Sequence, residues 1–185
     1  MSTNVRLDLF NPAKGLTRGR GIAIEAAWYA IKCVVFLSAL PWPSSLKARL
    51  LRFFGASIGE GVVIKPRVNI HLPWKLTVGD HCWIGEGAWI LNLEPVALGA
   101  HVCISQNVFL CTGNHDFRDP AMAYRNAPIV VEDGAWVAAQ TFVGPGVTIG
   151  REAVVLAGSA VLKSVAAGKV YQGSPCVEVG VRWAR

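Results

Sequence analysis

From Ile58 onward an aliphatic residue returns at every sixth position. The phase runs Ile58, Ile64, Ile70, then Val78, Ile84, Ile90, then Leu98, Ile104, Leu110, then Val131, Val137, Val143, and then Ile149, Val155, Val161. The second position is often glycine, as at Gly59, Gly79, Gly85, Gly99, Gly144 and Gly150. The fifth is small or valine in all but three hexapeptides, where Trp74, Glu94 and Asn114 stand. The spacing leaves six only between Ile70 and Val78, Ile90 and Leu98, and Leu110 and Val131, each time after a third hexapeptide. Three hexapeptides therefore make one turn, and every insertion leaves from the same corner. A helical period of 3.6 cannot produce this spacing. The pattern predicts an all-β solenoid of five triangular coils over residues 58–166, with stacked inward aliphatics and small residues where corners crowd the interior.

The longest interruption reads LCTGNHDFRDPAMAYRNAP and predicts a protruding loop over 112–128. It carries Asn114, His115, Asp116, Arg118, Asp119, Arg125 and Asn126, with Phe117, Met122 and Tyr124 to anchor it. Long loops without their own secondary structure are usually functional or disordered, and three large apolar residues argue for an anchored one. His115 is the only histidine of the loop; a lone loop histidine is most often a surface residue, although a neutral imidazole has the chemistry to take a hydroxyl proton. Asp116 or a backbone carbonyl of the loop is expected to orient its second nitrogen.

Charge divides the chain. Residues 1–57 hold eight Lys/Arg against Asp8 and Glu25, whereas the remainder has ten of each sign, so the whole excess of +6 is N-terminal. The stretch GIAIEAAWYAIKCVVFLSAL predicts a helix with two interior charges, a poor membrane span. After Pro41 and Pro43, SSLKARLLRFFG predicts a short basic amphipathic helix. This extension suits a cap on the open end of the solenoid. A sharper reading adds peripheral contact with an anionic membrane through residues 18–54, using Arg18, Arg20, Lys47, Arg49 and Arg52. No nucleic-acid-binding motif accompanies the charge. Residues 167–185, past the last regular hexapeptide, are expected to form a C-terminal tail.

Five cysteines, odd in number and without a CxxC pair, argue against a disulfide framework or a thiolate zinc site and fit a cytoplasmic protein. No cleavable signal peptide precedes the apolar stretch. His81 and His101 occupy position four of successive coils, about 4.8 Å apart if stacked; an exposed histidine ladder accounts for them, and no metal is expected. Cys111, four residues before His115, raises a covalent thiol–imidazole alternative. Position six places Trp83, Cys103 and Trp136 on one outer face and Trp89, Phe109 and Phe142 on the next, columns that suit burial between subunits.

On ISQNVFLCTGNHDFRDPAM, APIVVEDGAWVAAQTFVGPGVTIG and VVLAGSAVLKSVAAGKVYQGSPC, the chain resembles the hexapeptide-repeat acyltransferases, and most of all the exopolysaccharide acetyltransferases of the colanic-acid type. The resemblance spans roughly residues 58 to 180. It implies a left-handed parallel β-helix, homotrimers with active sites between subunits, and acetyl-CoA as acyl donor. It implies O-acetylation of a sugar hydroxyl of an exopolysaccharide or its lipid-linked precursor, with His115 as base. It places the oxyanion donor at the backbone N–H of Ala139. Trp136, Ala139, Ala157, Gly158, Leu162 and Lys163 match coenzyme A positions. Asn92, Asn114, Asp116 and Arg125 are candidate acceptor contacts, since Gly85 replaces an asparagine that some members use. Arg182 stands loosely where some members place a cofactor arginine. Two other readings remain: a zinc hydratase of the γ-class carbonic anhydrase type, and a non-catalytic scaffold at the inner membrane face.

Overall fold

The computed structural model describes residues 4–183. Short parallel strands stack into three sheets that enclose one core. Face 1 holds β1 (Ser57–Ile58), β4 (Leu76–Val78), β7 (Val96–Leu98), β10 (Ile129–Val131) and β13 (Thr148–Ile149). Face 2 holds β2 (Val63–Ile64), β5 (Trp83–Ile84), β8 (Cys103–Ile104), β11 (Trp136–Val137), β14 (Val154–Val155), β16 (Lys169–Gln172) and the antiparallel β17 (Val177–Val181). Face 3 holds β3 (Asn69–Ile70), β6 (Trp89–Leu91), β9 (Phe109–Cys111), β12 (Phe142–Val143) and β15 (Ala160–Val161).

All fifteen position-one aliphatics are buried, and so are the twelve small or valine residues at position five. Position four explains the corners. In every first and second hexapeptide, from Gly61 to Gly158, this residue has φ between +55° and +71°. Glycine adopts that conformation freely; Arg67, His81, His101, Asn107, Gln140 and Glu152 adopt it at a cost. At position two the coils nearly touch: a Cβ on Gly79 would lie 2.6 Å from the carbonyl carbon of Gly99.

The stack does not end at five coils. Val165 bridges Ile149 on face 1, and β16 continues face 2 with Tyr171 opposite Val155. Both offsets are sixteen residues, two short of a regular turn, which hides this partial sixth coil from a six-residue phase.

The N-terminal segment closes the other end. Helix α1 (Ile22–Ile31) runs on through a π-helical turn to Phe36, and α2 (Ser44–Phe53) lies across the first coil. Each coil donates its N–H groups to carbonyls of the next, as Gly59 does to Val78 and Lys65 to Ile84. The first coil therefore has carbonyls with no preceding coil to satisfy them. Side chains supply the donors. Arg52 Nε reaches Ile58 O at 2.9 Å, Lys47 Nζ reaches Ile64 O at 3.2 Å and Lys65 O at 2.9 Å, and Trp28 Nε1 reaches Ile70 O at 3.2 Å. This corrects part of the membrane reading. Lys47 is fully buried, Arg52 is bound to the coil, and Arg18 pairs with Glu25, which leaves only Arg20 and Arg49 of the five without such a partner among the described residues. No helix among the described residues is long and apolar enough to cross a membrane.

Candidate active site

The long insertion leaves face 3 after Cys111 and returns to face 1 at Ile129. It is a hairpin arm. Ala127 N–H donates to Thr112 O (3.1 Å), Arg125 N–H to Asn114 O (2.8 Å) and Asp116 N–H to Ala123 O (2.8 Å), with His115 and Tyr124 opposite each other. At the tip, Asp116 Oδ1 accepts the Arg118 N–H (3.0 Å), and the Asp119 carboxylate accepts those of Ala121 (2.9 Å) and Ala123 (3.3 Å). Buried Thr112 fixes the base, its hydroxyl donating to Leu91 O (2.9 Å) and accepting from Glu94 N–H (3.0 Å).

The His115 ring stacks on Tyr124, centroids 5.0 Å apart and 28° between planes. Its Nδ1 lies 2.5 Å from the Met122 carbonyl. A carbonyl can only accept, so the neutral ring carries its proton on Nδ1 and its basic lone pair on Nε2. Of the orienting candidates, a backbone carbonyl holds the ring; the Asp116 carboxylate is committed to the turn. Asn114 is also internal to the arm, its Oδ1 accepting the His115 N–H at 2.8 Å. The Arg125 side chain is exposed.

Three expectations are corrected. Asn92 is fully buried, with Oδ1 accepting Leu72 N–H (2.9 Å) and Nδ2 donating to Leu72 O (2.6 Å), so it ties two insertions together and cannot meet an acceptor. Arg182 donates to Gly134 O (2.5 Å) and pairs with Glu152 (3.3 Å), anchoring the end of β17 to a corner. Phe117 is 72% exposed and does not anchor the arm; Tyr124 does, through its contacts with the His115 and Phe10 rings. Burial pushes the Cys111 thiol up, away from the thiolate a covalent route needs.

The remaining candidates fall at two corners. Ala139 stands between faces 2 and 3, and its carbonyl accepts the Gly158 N–H from the next coil at 2.9 Å. Ala157 and Gly158 are exposed there, and a Cβ on Gly158 would meet nothing within 4 Å. The Ala139 N–H has no acceptor among the described residues, as is true of other corner residues such as Gln106 and Ala157. Trp136 lies on adjoining face 2 and donates to Ser105 Oγ at 2.9 Å. Leu162 and Lys163 are exposed between faces 3 and 1, the corner from which the arm departs two coils earlier. Among the described residues no hydrogen bond or ring contact joins the arm to Ala139 within one chain. The column Trp83, Cys103, Trp136 is in register on face 2, and Trp89, Phe109, Phe142 on face 3, with Trp89 and Phe109 stacked at 4.4 Å. Trp83, Trp89 and Trp136 are each at least 40% exposed.

His81 and His101 stack at 5.2 Å on a corner. Among the described residues no group of three or more His, Cys, Asp or Glu is placed to hold a metal ion. Two residues of the site were invisible to pattern reading. Met122 acts through its carbonyl, which carries no side-chain signature. Phe10, over a hundred residues away, touches the imidazole.

The sequence profile described as "Hexapeptide repeat of succinyl-transferase" matches residues 75–111 and 128–163, the stretches flanking the arm. An Escherichia coli K12 protein, provisionally named colanic acid biosynthesis acetyltransferase WcaF, is 41% identical over 94% of each chain. The galactoside O-acetyltransferase of the same organism is 30% identical over 72% of this chain and 68% of its own. A hexapeptide-repeat acetyltransferase of Vibrio cholerae, solved with acetyl coenzyme A, superposes with a TM-score of 0.79, 24% identity and 88% coverage of each chain. The chain belongs to the hexapeptide-repeat acetyltransferases and folds as their left-handed parallel β-helix.

Proposed function

We propose that the protein transfers an acetyl group from acetyl-CoA to a sugar hydroxyl of an exopolysaccharide or its lipid-linked precursor, with His115 as general base. The observation that carries this reading is the Nδ1–Met122 carbonyl bond, which leaves Nε2 as the proton acceptor on an arm projecting from a rigid stack. Nε2 takes the hydroxyl proton as the sugar oxygen attacks the thioester carbonyl. The Ala139 N–H donates to the tetrahedral oxyanion. Collapse expels the coenzyme A thiolate, which takes the proton back from the imidazolium. Open space at Gly158 and the exposed Ala157 let a pantetheine arm lie against the backbone, and Lys163 meets a phosphate. The names of the two curated relatives, one for colanic acid biosynthesis and one for galactoside O-acetylation, support a carbohydrate acceptor.

Because His115 and Ala139 belong to different corners, the site is completed by a second copy, in a homotrimer that covers the aromatic columns. With acetyl-labelled coenzyme A and a panel of sugars and lipid-linked glycans, label is expected in a hydroxylamine-labile ester on carbohydrate. Label appearing only as free acetate would overturn the acceptor assignment. Mixing His115→Ala copies with Ala157→Trp copies, each inactive alone, is expected to restore transfer through hybrid trimers. If hybrids form and stay inactive, the shared site is wrong.

A further inference from the structure

The N-terminal strap, residues 6–15, crosses the His115 arm. The Arg6 N–H donates to the Pro120 carbonyl at the arm's tip, 2.8 Å away. The Phe10 ring meets two rings at once, edge-on to His115 at 5.4 Å (62°) and to Tyr124 at 5.1 Å (78°). At Gly15 (φ +79°) the strap turns so close that an added Cβ would lie 3.2 Å from Tyr124 Cβ. Between strap and arm lies a cavity of about 170 Å³, lined by Leu9, Asn11 and Lys14 on one side and Asp119, Ala121 and Ala123 on the other. The hairpin alone fixes His115 by one hydrogen bond and one stacked face. Phe10 supplies the second wall.

We propose that Phe10 is a positioning residue. Its ring, with that of Tyr124, confines the His115 imidazole to the orientation in which Nδ1 donates to Met122 O and Nε2 stays unprotonated. Edge-to-face aromatic pairs are directional, and side-chain rotation of an unwalled histidine would lose both the bond and the tautomer. The strap also explains why the arm needs no apolar anchor of its own at Phe117. This rests on the reading of His115 as base, but its principal test does not depend on that reading.

The test uses full-length protein with ¹⁵N-labelled histidine, the His115 signals being identified by their loss in His115→Ala. In wild type, ring coupling patterns should report the Nδ1–H tautomer at His115. Phe10→Ala should give a mixture of tautomers, and Phe10→Tyr should restore the wild-type pattern by keeping the ring. Arg6→Pro, which removes the N–H donor without touching the ring, should shift the pattern the same way and covers any folding failure of Phe10→Ala. In acetyl transfer to a simple galactoside probe, Phe10→Ala should lower kcat by about tenfold to a hundredfold, as expected when a reacting group is misplaced by about 1 Å. The KM for acetyl-CoA should not move. An unchanged tautomer in both Phe10→Ala and Arg6→Pro overturns the proposal. A changed tautomer with an active His115→Ala enzyme would keep the clamp and discard the base.

Discussion

Replacement of His115 by alanine is expected to reduce acetyl transfer by about 10²–10⁴-fold at saturating acetyl-CoA, the span typical of a lost general base. Binding of acetyl-CoA should persist, because Ala139, Ala157 and Gly158 sit at another corner of the coil. The solenoid should keep its stability, since the imidazole is held by the arm's own groups and the strap, and nothing in the core depends on it. Steady-state kinetics with a thermal melt separate these effects. A variant that keeps its rate would eliminate direct base catalysis by this residue. The imidazole, with Nε2 left free, fits the step better than its neighbours: Asp116 and Asp119 are occupied by N–H groups of the turn, and the Cys111 thiol on β9 is buried and pushed up.

Lys47→Ala is expected to lower unfolding stability by about 2–4 kcal/mol, because the Lys65 carbonyl loses its donor, the Ile64 carbonyl keeps only the Ser44 hydroxyl at 3.4 Å, and a fully buried stem is removed. Lys47→Met, which keeps the stem's volume, should lose less. Urea denaturation of the three proteins measures this, and a Met variant more stable than wild type would mean that desolvation of the ammonium outweighs the bonds it makes. The pH dependence has a definite sign. Burial holds the Lys47 ammonium below its ordinary value of 10.5. Below the folded-state pKa both states are protonated and the residue adds no slope. Between that pKa and 10.5 the unfolded chain binds the extra proton, so stability rises with pH. The difference between wild type and Lys47→Ala should therefore grow as pH climbs toward 10.5. A difference that shrinks over that window would contradict the burial argument.

The scaffold was legible because every inward position repeats one chemical requirement. Ile58 and Val161 obey the same rule a hundred residues apart, and three interruptions in one phase place the arm at a corner. The sixth coil was not legible, since a turn shortened by two residues breaks the phase at Val165. Polar residues were read less well than apolar ones, for a physical reason. An amide or guanidinium in a sequence does not say whether its partner is a ligand or a backbone group. Asn92 serves Leu72, Arg182 serves Gly134, and Lys47 with Arg52 serves the first coil. His115 was assigned through the resemblance of its loop to that of a known family, whereas the carbonyl and the phenyl ring that hold it come from contacts no local pattern encodes.

The helical plug bears on how long the structure can become. Each coil has nearly the same cross-section and offers the next one three strand edges in register, so any uncovered coil is a template for another. Trp28, Lys47 and Arg52 occupy the first such edge with side-chain donors, and a coil from a second molecule finds those carbonyls already bonded. A stack that repeats by translation has no closure of its own, and head-to-tail addition of such units yields filaments. The N-terminal helices thus make a discrete molecule out of a geometry that would otherwise polymerise.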